Sequence, residues 1–200
     1  MTHDDLMAHC KTTPYWWDNA QRPSLPDAVL PATVDVLVIG AGYTGLHAAL
    51  QTARGGRSTL VVDAEEAGWG CSTRNGGQIS TSIKPGFDQL AKRHGEERAF
   101  GILREGQQSL AWIAEFVRSE GIDCDFGQVG RFHAAHNAAQ YEALAAKLTK
   151  QPKGLEVRAH VVPRAEQRRE LGSDGYWGGV VYEQHCSVHP ARYHQGLLER

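Results

Sequence analysis

The sequence predicts an α/β fold: a βαβ unit interrupted by an inserted α+β segment. Two observations carry this. Residues 34–63 run strand, glycine turn, helix and strand, in the order of a parallel βαβ unit. Beyond residue 80 the order becomes helix, helix, strand, helix, strand, strand, which no longer alternates as a doubly wound sheet does.

The elements follow in chain order. Residues 1–33 carry Pro14, Pro23, Pro26 and Pro31 among polar residues and the cluster Tyr15, Trp16, Trp17, so they read as an extended arm with an aromatic anchor on a neighbouring surface. Residues 34–39 are a β-branched run that stops at Gly40. Small and apolar residues recur at helical spacing over 43–54, Gly55 and Gly56 end that helix, and 59–62 form a second strand closing at Asp63. Residues 66–78 are a loop holding Gly68, Gly70, Gly76 and Gly77. Helices are expected at 87–94 and 96–119, the second presenting Phe100, Leu103, Leu110, Ile113, Phe116 and Val117 to a core. Residues 124–134 and 155–162 read as strands separated by a helix over 137–150, and 178–182 as a further strand.

Composition excludes several classes. With 200 residues and 41% hydrophobic content the chain can bury a sizeable core. Lys plus Arg total 21 against 23 Asp plus Glu, a net charge of -2 without a long run of one sign, so neither a nucleic-acid nor an anionic-membrane surface is encoded. No apolar stretch reaches the roughly 20 residues that span a bilayer, and the polar, acidic amino terminus has no signal-peptide pattern. Cys10, Cys71, Cys124 and Cys186 are far apart with no CxxC pair, which speaks for a reducing, cytoplasmic setting and against a zinc or disulfide framework.

Gly40-Ala41-Gly42-Tyr43-Thr44-Gly45 fits GxGxxG between a strand and a helix. In that context Gly40 permits the tight turn, Gly42 lets a pyrophosphate approach the backbone, and Gly45 lets helix pack on sheet. The phosphates meet the free N–H groups and dipole of the helix amino terminus. Asp63, at the end of the second strand, is an acceptor for a ribose hydroxyl pair and repels the 2′-phosphate of NADP. These features indicate a dinucleotide but leave FAD and NAD open. The loop bears on that choice: glycines beside Ser72, Thr73, Arg74, Asn75, Gly76, Gly77 and Gln78 offer backbone N–H, hydroxyl and guanidinium donors to an anion. FAD, being longer, needs a second supporting element, whereas an NAD enzyme has no need of this loop. The alternatives are an NAD-dependent dehydrogenase with an unusual loop, and a plain surface loop with a solvated Arg74.

The segments VDVLVIGAGYTGLHAAL, VVDA and GWGCSTRNGGQIS resemble the amino-terminal part of the D-amino-acid-oxidase-like (DAO) family of FAD enzymes. Within it the likeness is greatest to the gamma-glutamylputrescine oxidoreductase group, which combines a PYW-type arm, a GYTGL turn and an SGRNGGQ-type loop. His189-Pro190-Ala191-Arg192-Tyr193, followed by Gly196-Leu197, resembles that group's HPxxY and GL segment. The resemblance implies an FAD-binding Rossmann-like βαβ unit with an inserted, incomplete α+β substrate domain, and adds Ala64 to the cofactor-binding set. It divides the chain into an arm (1–33), the first part of the FAD domain with a helical extension (34–120), a partial substrate domain (121–188) and the start of the return to the FAD domain (189–200). Two departures stand out. Asp63 replaces the usual glutamate, still a carboxylate. Thr73 replaces a glycine, and a β-branched residue strains the loop if that position needs positive φ.

By the same resemblance, the chain is expected to stop inside a helix that leads back to the nucleotide fold, at about half the family's length. The implied reaction oxidises a C–N bond of a small amine or amino acid, gamma-glutamylputrescine being the type. Hydride passes to the flavin, and the reduced flavin passes electrons to oxygen or another acceptor. A truncated, non-catalytic remnant of such an enzyme is the alternative reading. No acid and base pair stands out, and no residue is assigned as catalytic.

His133 and His136 have the wrong spacing to share one face of a strand, and with His185, His189 and His194 they are not read as a metal site. His189 before Pro190 reads as orienting a turn near the flavin. Cys71 reads as packing rather than as a flavin tether. Trp69 and Trp177 suit either a pocket or a core. Tyr182 and Arg131 are unprivileged candidates for facing a substrate carboxylate.

Overall fold

The computed structural model describes residues 7–8, 10–25 and 29–200. It divides into two compact units: the described residues up to Gly77 with Gly121–Asp125 and Val188–Arg200, and Gln78–Glu120 with Phe126–Ser187.

In the first unit, strands β1 (Val36–Ile39) and β2 (Thr59–Val62) pair in parallel, Val36 opposite Thr59 and Ile39 opposite Val62, joined by helix α1 (Tyr43–Arg54). Leu46, Ala49 and Leu50 of α1 are buried at i, i+3 and i+4, the spacing of one helix face. The other face of the sheet is open, with Leu37 52% and Ile39 82% exposed. β1 starts two residues later than expected because Asp35 is engaged otherwise. Its carboxylate accepts from the Ser58 N–H at 2.9 Å and the Ser58 hydroxyl at 3.0 Å, clasping the bases of both strands.

The arm is not extended throughout. After Pro14, Tyr15–Asp18 close into a 3-10 turn, with the Trp17 N–H donating to the Pro14 carbonyl at 3.1 Å. Pro26 and the beginning of the arm, residues 1–6 and 9, lie outside the described residues, as do 27–28.

In the second unit, β3 (Gln78–Ile79) precedes helices α2 (Phe87–His94) and α3 (Glu96–Ser119), which match the expected bounds and break at Gly95, φ +84. Strands β4 (Arg131–Ala134), β5 (Ala159–Val162) and β6 (Gly179–Tyr182) form an antiparallel sheet in the order β4-β6-β5, so Arg131 and Ala159 both lie opposite Tyr182. Helix α4 (Ala138–Thr149) begins at Asn137, whose side chain accepts from the Gln140 N–H at 2.8 Å. Val180, fully buried, marks the core of this sheet. β7 (Cys186–Ser187), absent from the sequence reading, pairs antiparallel with β3.

Two expected strands are corrected to shorter ones. Of residues 124–134 only Arg131–Ala134 are strand, because Asp125 at φ 51 and Gly130 at φ +72 turn the chain out of extended geometry. Of 155–162 only Ala159–Val162 are strand. Before them, side chains take over the backbone groups: Gln151 accepts from the Val157 N–H at 2.7 Å and Gln107 donates to the Leu155 carbonyl at 2.8 Å. The two helices expected to extend the nucleotide unit group with this second unit. Among the described residues no helix is long and apolar enough to cross a membrane.

Helix α5 (Pro190–Leu198) belongs to the first unit, starts at Pro190 and is capped by His189, whose Nδ1 accepts from the Arg192 N–H at 3.3 Å. The helix ends at Leu198, short of the expected run through Arg200. A Cβ at Gly196 would overlap Ile122, so glycine here sets how closely α5 approaches residues 121–125.

Candidate cofactor site

The glycine turn between β1 and α1 is fixed from several sides. Gly40, at φ +104, donates its N–H to the Val62 carbonyl at 2.7 Å, tying the turn to the end of β2. At Gly45 a Cβ would overlap the Gly40 carbonyl oxygen and lie 3.2 Å from Val38 Cγ1. The Ala41 peptide is held at both ends: its N–H donates to Asp63 Oδ2 at 2.6 Å, and its carbonyl accepts from His194 Nε2 at 2.6 Å. Since a carbonyl only accepts, that nitrogen carries the proton. His194 reaches the turn from α5, is 1% exposed, and packs beneath Gly68, where a Cβ would meet its ring at 3.1 Å.

The loop after β2 meets the amino terminus of α1. The Tyr43 N–H donates to Ser72 Oγ at 3.0 Å, which leaves the Ser72 hydroxyl hydrogen free to point at an acceptor. A Cβ on Gly42 would lie 3.0 Å from that oxygen, so glycine admits the approach. The N–H groups of Thr44 and Gly45, in the first helical turn, have no acceptor within the helix and stand at its positive end. Asp63 is exposed, and its Oδ1 accepts from the Glu65 N–H at 3.0 Å. The backbone donors of Ala41, Glu65 and Ala64 hold its carboxyl below the ordinary range, so it stays ionised with lone pairs to spare.

The expected loop residues divide by role. Thr73, expected as a hydroxyl donor to an anion, is 1% exposed and turned inward: its Oγ1 donates to the Gly68 carbonyl at 2.5 Å and accepts from Trp17 Nε1 at 2.9 Å. It sits in the 3-10 turn Cys71–Thr73 and is not among the positive-φ residues, so the strain feared for a β-branched side chain does not arise. Asn75 braces the loop, donating to the carbonyls of Cys71 and Ser72 at 3.2 and 3.0 Å and accepting from the Gly77 N–H at 2.8 Å. Gly77, at φ +68, receives the Val188 N–H at 2.9 Å and has no room for a Cβ beneath the Val188 carbonyl. Gly76 is open. Arg74 is exposed and lies on the indoles of Trp69 and Trp17, 4.2 and 4.9 Å from the ring centroids. Gln78 opens β3 and falls in the second unit.

The Tyr43 side chain points away from the turn. Its hydroxyl donates to the Pro190 carbonyl at 2.9 Å, and burial pushes its pKa up to about 12. Beside it, Tyr193 OH and His47 Nε2 are 2.7 Å apart. His189 is held neutral by burial and then by the nearby Arg192. No local signal marks His194 as the support of the glycine turn, because it and Ala41 are 153 positions apart and no spacing rule connects them.

The second unit contains a cavity of about 430 Å³ lined by Thr81, Phe87, Leu103, Gln107, Leu155 and Tyr182, among others. At its Tyr182 side, the ring stacks on His185 at 4.9 Å and carries the Arg131 guanidinium 5.3 Å from its centroid. His185 lies 3.3 Å from the Thr81 hydroxyl, and burial lowers its pKa, keeping it neutral. Trp69 and Trp177 are 44% and 42% exposed, so neither is a core residue. Among the described residues no group of three His, Cys, Asp or Glu side chains converges as a metal site.

A family model described as DAO, FAD dependent oxidoreductase, matches residues 35–200. The chain is 32% identical over 161 residues to gamma-glutamylputrescine oxidoreductase of Escherichia coli, covering 79% of this chain and 37% of that protein. To the probable oxidoreductase OrdL of Haemophilus influenzae it is 29% identical over 187 residues, covering 92% and 43%. The chain thus spans less than half the length of these relatives. Among solved structures, glycine oxidase from Geobacillus kaustophilus superposes with a TM-score of 0.69 at 15% identity over 82% of this chain and 43% of that one. L-amino acid deaminase from Proteus vulgaris gives 0.69 at 18% over 89% and 40%. At such identities these two speak for the fold alone.

Proposed function

We propose, for a chain that belongs to the DAO family of FAD-dependent oxidoreductases, that its first unit holds the ADP and ribityl portions of FAD in an enzyme oxidising a C–N bond of an amine or amino acid. One observation carries the reading: the loop after β2 delivers Ser72 Oγ to within 3.0 Å of the Tyr43 N–H at the head of α1. A pyrophosphate at that point would accept from the Ser72 hydroxyl and from the first-turn N–H groups of Thr44 and Gly45. Asp63 would accept from the ribose hydroxyl pair, and its charge disfavours a 2′-phosphate. Arg74, exposed within this loop, is a further donor toward the phosphates, and Asn75, Gly76 and Gly77 shape the path beyond them. An NAD site needs only the βαβ turn, so the second segment favours FAD.

Bound FAD supplies a hydride acceptor for the carbon bearing the amine, with oxygen proposed as the final acceptor. This chain's residues bind and orient. The cavity of the second unit, with its apolar wall of Phe87, Leu103 and Leu155 and the amide of Gln107, suits an aliphatic amine bearing an amide. That is the character of gamma-glutamylputrescine, after which the Escherichia coli relative is named. Among the described residues neither Tyr182 nor the neutral His185 pairs with a carboxylate there, and no proton transfer is assigned to either.

The test is a titration of the purified chain with FAD, followed by quenching of flavin fluorescence, with NAD as competitor. Saturable one-to-one binding that NAD does not displace supports the reading. Binding of NAD without any quenching of FAD overturns it.

A further inference from the structure

The arm bears on the cofactor loop through three kinds of contact. Both of its indoles donate hydrogen bonds into the loop: Trp16 Nε1 to the Asn75 carbonyl at 2.7 Å, and Trp17 Nε1 to Thr73 Oγ1 at 2.9 Å. Two guanidiniums and two indoles interleave. Arg22 lies 4.1 Å from the Trp17 ring and 5.2 Å from Trp69, Arg74 lies 4.2 Å from Trp69 and 4.9 Å from Trp17, and the two rings are 5.8 Å apart. Arg22 Nη1 also lies 2.8 Å from Glu66 Oε2, a pairing of charges rather than an aligned hydrogen bond.

A loop containing Gly68, Gly70, Gly76 and Gly77 loses much conformational entropy when ordered. Thr73 is where the bracing concentrates. Its hydroxyl takes the Trp17 N–H and passes its own hydrogen to the Gly68 carbonyl, so one side chain joins arm, 3-10 turn and loop entry. A glycine, the residue that the resemblance led one to expect here, has no atom for either bond. Trp16 acts at the other end of the turn, where Asn75 already gathers the carbonyls of Cys71 and Ser72, and its ring rests edge-on against His189 at 4.8 Å.

We propose that Trp16 and Trp17 are positioning residues for the cofactor. The arm preorganises residues 68–77 so that Ser72 stands ready at the head of α1, and the Trp17–Thr73 hydrogen bond is the lock. This inference rests on the reading of that loop as part of the FAD site. It places determinants of cofactor affinity in a segment outside the βαβ unit.

The test is a double-mutant cycle on the full chain, read as the FAD dissociation constant and, without cofactor, as amide hydrogen exchange over residues 68–77. Trp17→Phe keeps an aromatic ring and removes the N–H; Thr73→Val keeps the shape and removes the hydroxyl. Trp17→Phe is expected to weaken FAD binding about fivefold to tenfold, the effect of one lost hydrogen bond, and Thr73→Val, which also loses the bond to the Gly68 carbonyl, by at least as much. The double variant should bind no more weakly than Thr73→Val alone, since the bond that Trp17→Phe removes is already lost in it. Thr73→Ser should retain near-native affinity. Faster exchange across 68–77 in Trp17→Phe should accompany these effects, with exchange in the β4-β6-β5 sheet unchanged as the control for folding. Additive single effects, or unchanged exchange over 68–77, overturn the proposal. If the unaltered chain binds no FAD, the cofactor reading fails, and the exchange experiment still decides whether the arm orders the loop.

Discussion

In the first unit the groups proposed to meet a ligand are backbone N–H groups, the Ser72 hydroxyl, the Asp63 carboxylate and the Arg74 guanidinium, set around residues 40–45, 63 and 72–74. In the second, a cavity of about 430 Å³ is lined by side chains from several separate elements, with Tyr182, His185 and Arg131 packed on one another beside it. Sheet completeness runs the opposite way. The parallel pair β1-β2 leaves Ile39 82% exposed, while the antiparallel β4-β6-β5 sheet buries Val180 completely. The candidate cofactor site thus lies on the less-covered sheet. A phosphate-binding turn requires a short stretch of backbone held by its neighbours, whereas a substrate cavity requires walls from many parts of a chain.

The largest effects should separate the two units. Gly45→Ala drives a methyl into the Gly40 carbonyl, and Gly179→Ala drives one into the His133 carbonyl and the Phe132 ring. Each should cost about 1–3 kcal/mol by overpacking. Only Gly45→Ala should abolish FAD binding in the fluorescence titration; equal loss in Gly179→Ala would show that the cofactor site is not set within the first unit.

Asp63→Asn is the next in size, with FAD affinity falling about tenfold as a charge-assisted acceptor is lost. It also carries a pH signature. Because backbone donors lower its folded pKa, the stabilisation by Asp63 is complete above the unfolded value of about 3.9 and is lost as pH falls through the lower folded value. Melting curves between pH 2 and 6 should therefore show acid destabilisation of the native chain that is diminished in Asp63→Asn. Identical pH profiles would contradict the hydrogen bonds assigned to this carboxylate. Ser72→Ala should have the smallest effect, about fivefold in FAD affinity, one hydrogen bond to the ligand. An unchanged dissociation constant would remove Ser72 from the phosphate site.

What the sequence disclosed follows the same division. Helix α1, strand β2 and the turn from Gly40 to Gly45 were legible because their signals are local: helical spacing, a glycine stop, and glycines where a Cβ has no room. Residues 124–130 were misread as strand because single residues overrode the pattern, Asp125 and Gly130 adopting positive φ. The pairing of β3 with β7 left no trace, since two-residue strands have no periodicity and their partners lie far apart in the chain. The same distance hid the support that His194 gives Ala41 and that Trp17 gives Thr73. Aromatic residues in the arm announced an anchor, but not the loop it would hold.

The central claim, that this chain carries the site for the ADP half of FAD, is tested most directly by competition with the cofactor's own halves. ADP and FMN are titrated separately against the preformed FAD complex, and the FAD released is separated from the protein and quantified by chromatography. The structure predicts that ADP displaces FAD and that FMN at the same concentration does not. Displacement by FMN with no effect of ADP would contradict it.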